Sequence, residues 1–334
     1  MSFNRLSPED FVISSDSVTA PLWTDGAVTL TDFYTSSVQE AGSSGDFYLN
    51  VFQTASTLDS AEVQFAITYG DIDGGGSEYY NPAVPGYSPT RTTYGQYRNL
   101  ILGDENSVFT FGGVTASNFW AVSVDRNRYK ESLLPGTMTL VLDAAGGTLS
   151  LTDNSRQSAT IVFNDAGRVF ELVSGSAGVV YTGSNSYGYS NAYGSYGWLL
   201  PDIGTILINP NATDETITLA PDNTANTNGQ NYRELFNAIV DGGGFTANSQ
   251  ETISSDYIFV RARNAEFNYS ENPSFISGST GEVVFDNFIN NPQTFPTTIG
   301  LYNDNNELLA VAKLSRPLLK DFTKEALVRV KLDF

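Results

Sequence analysis

The chain has 334 residues, no cysteine and no histidine, and its 37 acidic against 17 basic side chains give a formal charge of −20. That composition excludes disulfides, thiolate metal centres, cysteine nucleophiles and every histidine-dependent site, serine–histidine–acid triads included. It makes nucleic acid a poor partner, because counterion displacement needs clustered Lys and Arg, and it opposes docking on an anionic membrane.

The first residues, MSFNRLSPEDFVISSDS, lack the basic and apolar segments of a secretion signal, and no apolar run reaches membrane-span length. Synthesis and folding in a cytoplasm are expected. Residues 8–14 read as a helical turn or the start of a strand, and 28–35 and 46–54 read as strands. The run 61–70 (AEVQFAITYG) alternates apolar and polar positions, the period of a half-buried strand. DIDGGG at 71–76 breaks the chain, and an irregular stretch follows over 77–90 with Pro82, Pro85 and Pro89. Residues 94–102 suit a short helix, and 107–111 and 118–125 suit strands.

Two hairpins are predicted next, 137–143 with 148–153 and 160–164 with 168–174, each around a short Gly-containing turn; 178–182 adds a further strand. SNSYGYSNAYGSYGW at 184–198 has too few aliphatics for a core and reads as a loop. Residues 204–209 and 215–219 read as strands, and 210–228 as a domain boundary. Over 231–240, Tyr232, Leu235, Phe236, Ile239 and Val240 fall on one helical face, Asn231 and Glu234 suit an N-cap pair, and the glycines at 242–244 end the helix. Strands follow at 256–267, 297–302, 308–314 and 326–333, with NDNN at 303–306 turning the middle pair. The prediction is a mainly β protein. An antiparallel, β-sandwich-like N-terminal domain, as one body or two subdomains, covers 1–210. A smaller α+β C-terminal domain with one clear amphipathic helix covers 211–334.

Candidate chemistry is sparse. Asp71, Asp73 and Glu78 resemble a calcium loop, but the position eleven after the first acid is Pro82, and a Gly-rich turn explains the segment as well. No motif selects a carboxylate pair for glycoside cleavage, and the glycines at 242–244 lack the Lys and Ser/Thr of a phosphate loop. No catalytic residue, cofactor or metal is therefore assigned.

Charge patterning points instead to contacts between proteins. Residues 1–90 hold one basic residue, Arg5, against twelve acidic ones. From 313 onward Lys313, Arg316, Lys320, Lys324, Arg329 and Lys331 face only Asp321, Glu325 and Asp333. Such a tail can dock on an acidic neighbour, another copy included, or simply guard an edge strand against stray pairing. Arg126, Arg128 and Lys130 form a second basic cluster, either pairing with a neighbour's carboxylates or lining a solvated face. Tyr187, Tyr189, Tyr193, Tyr196 and Trp198 are candidate contact aromatics, or a cover over a sheet.

SPTRTTYGQYRNLILGDENSVFTFGG (88–113), SNFWAVSVDRNRYKESLLPGT (117–137), DAGRVFELVSGSAG (165–178) and ISSDYIFVRARNAEFNY (253–269) resemble virion-associated proteins of T-even-like contractile-tailed phages, especially those of marine cyanobacteria. FPTTIGLYNDNNELLAVAKLSRPLLKD (295–321) is similar to segments of phage tail and baseplate proteins. The resemblance spans about two thirds of the chain and carries no catalytic residue. It implies a structural role in the virion, in a baseplate, tail or neck, among other virion proteins in multiple copies. A host-facing fibre or carbohydrate-binding module and a capsid decoration protein are the alternatives.

Overall fold

In the computed structural model, which describes residues 4–35, 47–77, 79–84, 88–158, 160–181, 187–190, 192–224, 229–270 and 272–333, the alternating segments pair as antiparallel ladders. The chain forms two compact units: Val18–Glu251, and Met1–Ser17 joined with Thr252–Phe334.

The larger unit is built on a 13-stranded sheet. Its main path runs through Thr29–Leu30, Phe245–Thr246, Thr139–Ala144, Gly147–Asp153, Gly167–Ser176, Gly197–Leu200, Thr205–Ile208, Asn118–Val124, Val63–Asp71, Leu49–Phe52 and Tyr34–Thr35. Phe65 and Phe245 lie on strands near opposite ends of this order. Their rings meet edge to face at 5.6 Å, with Trp23 against both at 6.2 and 4.9 Å. The sheet therefore folds back on itself around a shared core, the sandwich-like arrangement the sequence predicts.

The central strands Asn118–Val124, Gly197–Leu200 and Thr205–Ile208 are buried almost throughout because both their faces are covered. On one face Trp120, Val122, Ile206 and Ile208 join Leu235 and Ile239 of the helix Gln230–Gly242. On the other, Phe109, Phe111, Phe119 and Trp198 pack with Tyr94 and Ile101 of the helix Pro89–Leu102. Both predicted hairpins form, with registers that close at Ala144↔Gly147 and Asn164↔Gly167.

Three local expectations differ. Residues 215–217, expected in a strand, end a helix, Pro210–Ile217. Its start was readable: Pro210 occupies the first turn, where no N–H is needed, and the Asn209 side chain accepts the Asn211 N–H at 3.2 Å. Asn231 is not the cap of the next helix. Gly229 (φ +70°) precedes that helix, and Asn231 is buried, exchanging hydrogen bonds with the Asp222 backbone (3.0 and 3.1 Å) while its carbonyl accepts the Trp120 indole N–H at 2.9 Å. Val240 is exposed, and Ala238 takes its place on the apolar face. The expected boundary at 210–228 falls inside this unit, because Ala212, Ile217 and Leu219 join its core. The amphipathic helix packs on Thr139–Ala144 and belongs to the same unit.

The smaller unit is thinner. Residues 11–17 and 252–262, parts of longer strands, form a sheet with Ala326–Asp333. The central ladder runs from Ser255↔Asp333 to Ala262↔Ala326. A separate two-stranded hairpin pairs Thr298–Tyr302 with Leu308–Lys313. It turns where predicted, with the Asn303 side chain accepting the N–H groups of Asn305 (3.0 Å) and Glu307 (2.8 Å) and Asn306 at φ +60°. Among the described residues no helix is long and apolar enough to cross a membrane.

Candidate assembly surface

The two units differ in how they use apolar side chains. Among the described residues, forty-six apolar side chains are buried in the larger unit, and three, Ile258, Phe275 and Val330, in the smaller. A fully buried Leu or Phe contributes about 1.5–3 kcal/mol, so the smaller unit draws little stability from its own interior. Instead it leaves fourteen large apolar side chains exposed. Ile13 (78%), Leu309 (68%), Ile289 (63%) and Leu327 (61%) are the most open. With roughly 150–250 Å² on a large side chain, these exposures amount to on the order of 1,500 Å². One partner in a standard protein interface contributes about 800 Å².

The exposure follows from thin layers. Along 326–333 the side chains alternate: Val330 is buried opposite Ile258, and Leu327, Arg329, Lys331 and Asp333 are exposed. Residues 11–17 lie on an outer strand of their sheet and are exposed at nearly every position, so neither face is covered. In the hairpin, Leu308, Leu309, Val311 and Tyr302 are exposed. A two-stranded hairpin in water is marginal without a layer over it.

The basic residues of the C-terminal segment divide into two groups. Lys313, Arg316, Lys324, Arg329 and Lys331 are exposed. Arg329 and Lys331 lie over the Tyr257 ring at 5.4 and 5.9 Å, Lys331 pairs with Asp333 at 2.8 Å, and Lys324 lies 3.8 Å from Asp321. Lys320 is a correction: it is 1% exposed and is no surface contact. Its ammonium donates to Asn268 Oδ1 (2.8 Å) and to the carbonyls of Asn264 (3.0 Å) and Asp321 (3.1 Å).

In the larger unit, Arg126, Arg128 and Lys130 are mostly engaged within the chain. Arg126 stacks on Tyr129 at 4.6 Å, Arg128 pairs with Glu62 at 2.6 Å and Lys130 with Glu251 at 2.6 Å. Of the aromatic segment, residues 184–186 and 191 lie outside the described residues. Tyr187 and Tyr193 are exposed and Tyr189 is half-buried against the core. Tyr196 and Trp198 correct the loop reading: both are buried, and Trp198 lies in the strand Gly197–Leu200.

A half-buried carboxylate pins this segment. Glu171 accepts the Ser195 hydroxyl, the Trp198 indole N–H at 3.2 Å and the Gly112 N–H at 3.3 Å. The Asn209 side-chain amide adds two hydrogen bonds, donating to the carbonyls of Tyr193 and Ser195 at 2.9 Å each. Burial holds the Glu171 carboxyl above its ordinary pKa, although the three donors pull it down. Glu171→Gln turns an NH2 group toward one of these donors and is expected to cost about 1–3 kcal/mol in urea unfolding, with a change in Trp198 emission. An acid whose folded pKa is raised contributes most below its unfolded pKa and loses that contribution as pH rises through the folded value. The stability of the native chain minus that of Glu171→Gln therefore decreases from acid toward neutral pH.

Asp71 accepts the N–H groups of Asp73 (2.9 Å) and Gly75 (3.0 Å), which makes it a turn residue; Glu78 and Pro85 lie outside the described residues. Sequence reasoning passed over 268–296, where Val284, Phe285, Ile289 and Phe295 are exposed. The signal was the apolar run EVVFDNFI at 282–289, set between turn-rich segments. Compared with family models, curated proteins and solved structures, the chain matches none.

Proposed function

We propose that the chain is a non-catalytic structural subunit of a tailed-phage virion, of the baseplate, tail or neck, whose smaller unit is its assembly module. The observation that carries this reading is the contrast between three buried apolar side chains and fourteen exposed ones in that unit. A packed neighbour would cover these open side chains and supply the apolar burial that the unit's own interior lacks. Charge favours the same unit. It holds nine Lys and Arg against thirteen Asp and Glu, a formal −4, while the larger unit holds eight against twenty-four, −16. Contact through the smaller unit brings together the surfaces that repel least, and its exposed lysines and arginines suit a neighbour with an acidic rim.

A glycan-binding fibre module needs a platform of exposed rings. With Tyr196 and Trp198 buried, Tyr187 and Tyr193 remain as the exposed members of the five candidates, which weakens that alternative. The test is to dissociate purified particles into head and tail fractions and follow this chain by mass spectrometry. Enrichment with tails, necks or baseplates is expected. Enrichment with capsids moves the chain to decoration, and absence from both removes the structural reading.

A further inference from the structure

We infer that the helix Pro89–Leu102 carries a binding site for a small oxyanion-bearing molecule, held between Arg91 and Arg98 in the larger unit. The two arginines are seven residues apart, two helical turns, so they share a face. Gly95 lies between them on that face, four residues after Arg91 and three before Arg98. A cavity of about 280 Å³ opens there, lined by Ile72, Arg91, Thr92, Tyr94, Gly95 and Arg98.

Three observations mark it as a site. Glycine is a poor helix residue, and neither geometry nor packing asks for it here. Gly95 is not among the residues with positive φ, and a Cβ added to it meets nothing within 4 Å. The missing side chain keeps the space between the arginines open. Next, neither arginine makes an ion pair among the described residues, and the buried Arg98 Nε has no hydrogen-bond partner there. Asp71 accepts backbone N–H groups, and Asp73 is exposed beyond it. Lastly, the Arg98 guanidinium lies over the ring of Tyr94 at 5.9 Å, and Tyr94 is buried with its hydroxyl donating to the Ala116 carbonyl at 3.1 Å. Two guanidinium forks and a threonine hydroxyl suit a carboxylate or phosphate, and the volume suits a body about the size of one sugar ring.

The test is isothermal titration of the full chain with inorganic phosphate, glucuronate and neutral glucose. Saturable binding of phosphate or glucuronate, without glucose binding, is expected, and whichever anion binds identifies its source as phosphate or acidic sugar. Gly95→Leu fills the cavity with a good helix former and is expected to remain folded while binding falls at least tenfold. Arg98→Lys keeps the charge but lacks Nε–H and should also lose most binding, whereas Arg126→Gln should lose none. No saturation by either anion at tens of millimolar, or equal binding by Gly95→Leu, overturns the inference.

Discussion

Replacing Lys320 with methionine is expected to destabilise the smaller unit by about 3 kcal/mol, although the new side chain is apolar and similar in length. In a well-filled core such an exchange is often neutral. Here the ammonium is the organising group. It donates to Asn264 O, Asn268 Oδ1 and Asp321 O, and methionine leaves all three acceptors without that donor. The backbone of Lys320 also exchanges two 2.9 Å hydrogen bonds with Thr294, so the same residue ties 294 to 264–268. Lys324→Met is the control. Lys324 is half exposed and 3.8 Å from Asp321, and its loss is expected to cost under about 1 kcal/mol. Urea unfolding with hydrogen exchange at the Thr294 and Lys320 amides measures both. Equal, small effects would show that the buried ammonium is incidental.

A charged substitution on the open apolar surface is expected to have the opposite signature. Leu309 is 68% exposed and Phe322 55% exposed. Leu309→Glu and Phe322→Glu remove little packing from the isolated chain, so stability is expected to change by no more than about 0.5 kcal/mol. In an assembled contact the same carboxylate is buried without a partner. A cost of about 3 kcal/mol is more than a hundredfold in affinity. Incorporation of the variants into particles, measured in competition with the native chain, should collapse while their unfolding curves superimpose on the native one. Phe163→Glu, at an equally open position of the larger unit (67%), should be incorporated normally. Loss of incorporation by all three variants would point to a general defect.

The fold was legible where a pattern repeats locally. Val63–Asp71 and Asn118–Val124 follow from alternation and aromatic content, and the hairpins at 139–153 and 162–176 from their turns. The helix at 230–242 follows from its apolar stripe. What failed depended on partners distant in the chain. Asn231 resembles a cap until Asp222 and Trp120 are placed beside it. Tyr196 and Trp198 look like loop aromatics because Gly, Ser and Tyr surround them, and their buried sites come from distant residues: the Tyr196 hydroxyl meets Thr216, and Trp198 packs on Phe109 and Phe111 with its indole N–H on Glu171. Lys320 looks like one of six tail cations, because composition cannot tell an exposed lysine from one ringed by carbonyls. The smaller unit was hidden for a simpler reason: residues 1–17 and 252–334 meet in space, and a boundary read along the chain cannot express that. Of the candidate surface, the basic character of the C-terminal segment was readable. The uncovered apolar side chains were not, because alternation predicts one buried face per strand and does not say whether a neighbour from the same chain covers it.

Hydroxyl-radical footprinting of the free chain and of intact particles tests the central claim most directly, because it reports side-chain exposure residue by residue. Phe285, Phe295, Leu309 and Phe322 should be oxidised readily in the free chain and strongly protected in the particle, with Phe163 labelled alike in both. Equal labelling of those four residues in the free and assembled states would contradict an assembly role for the smaller unit.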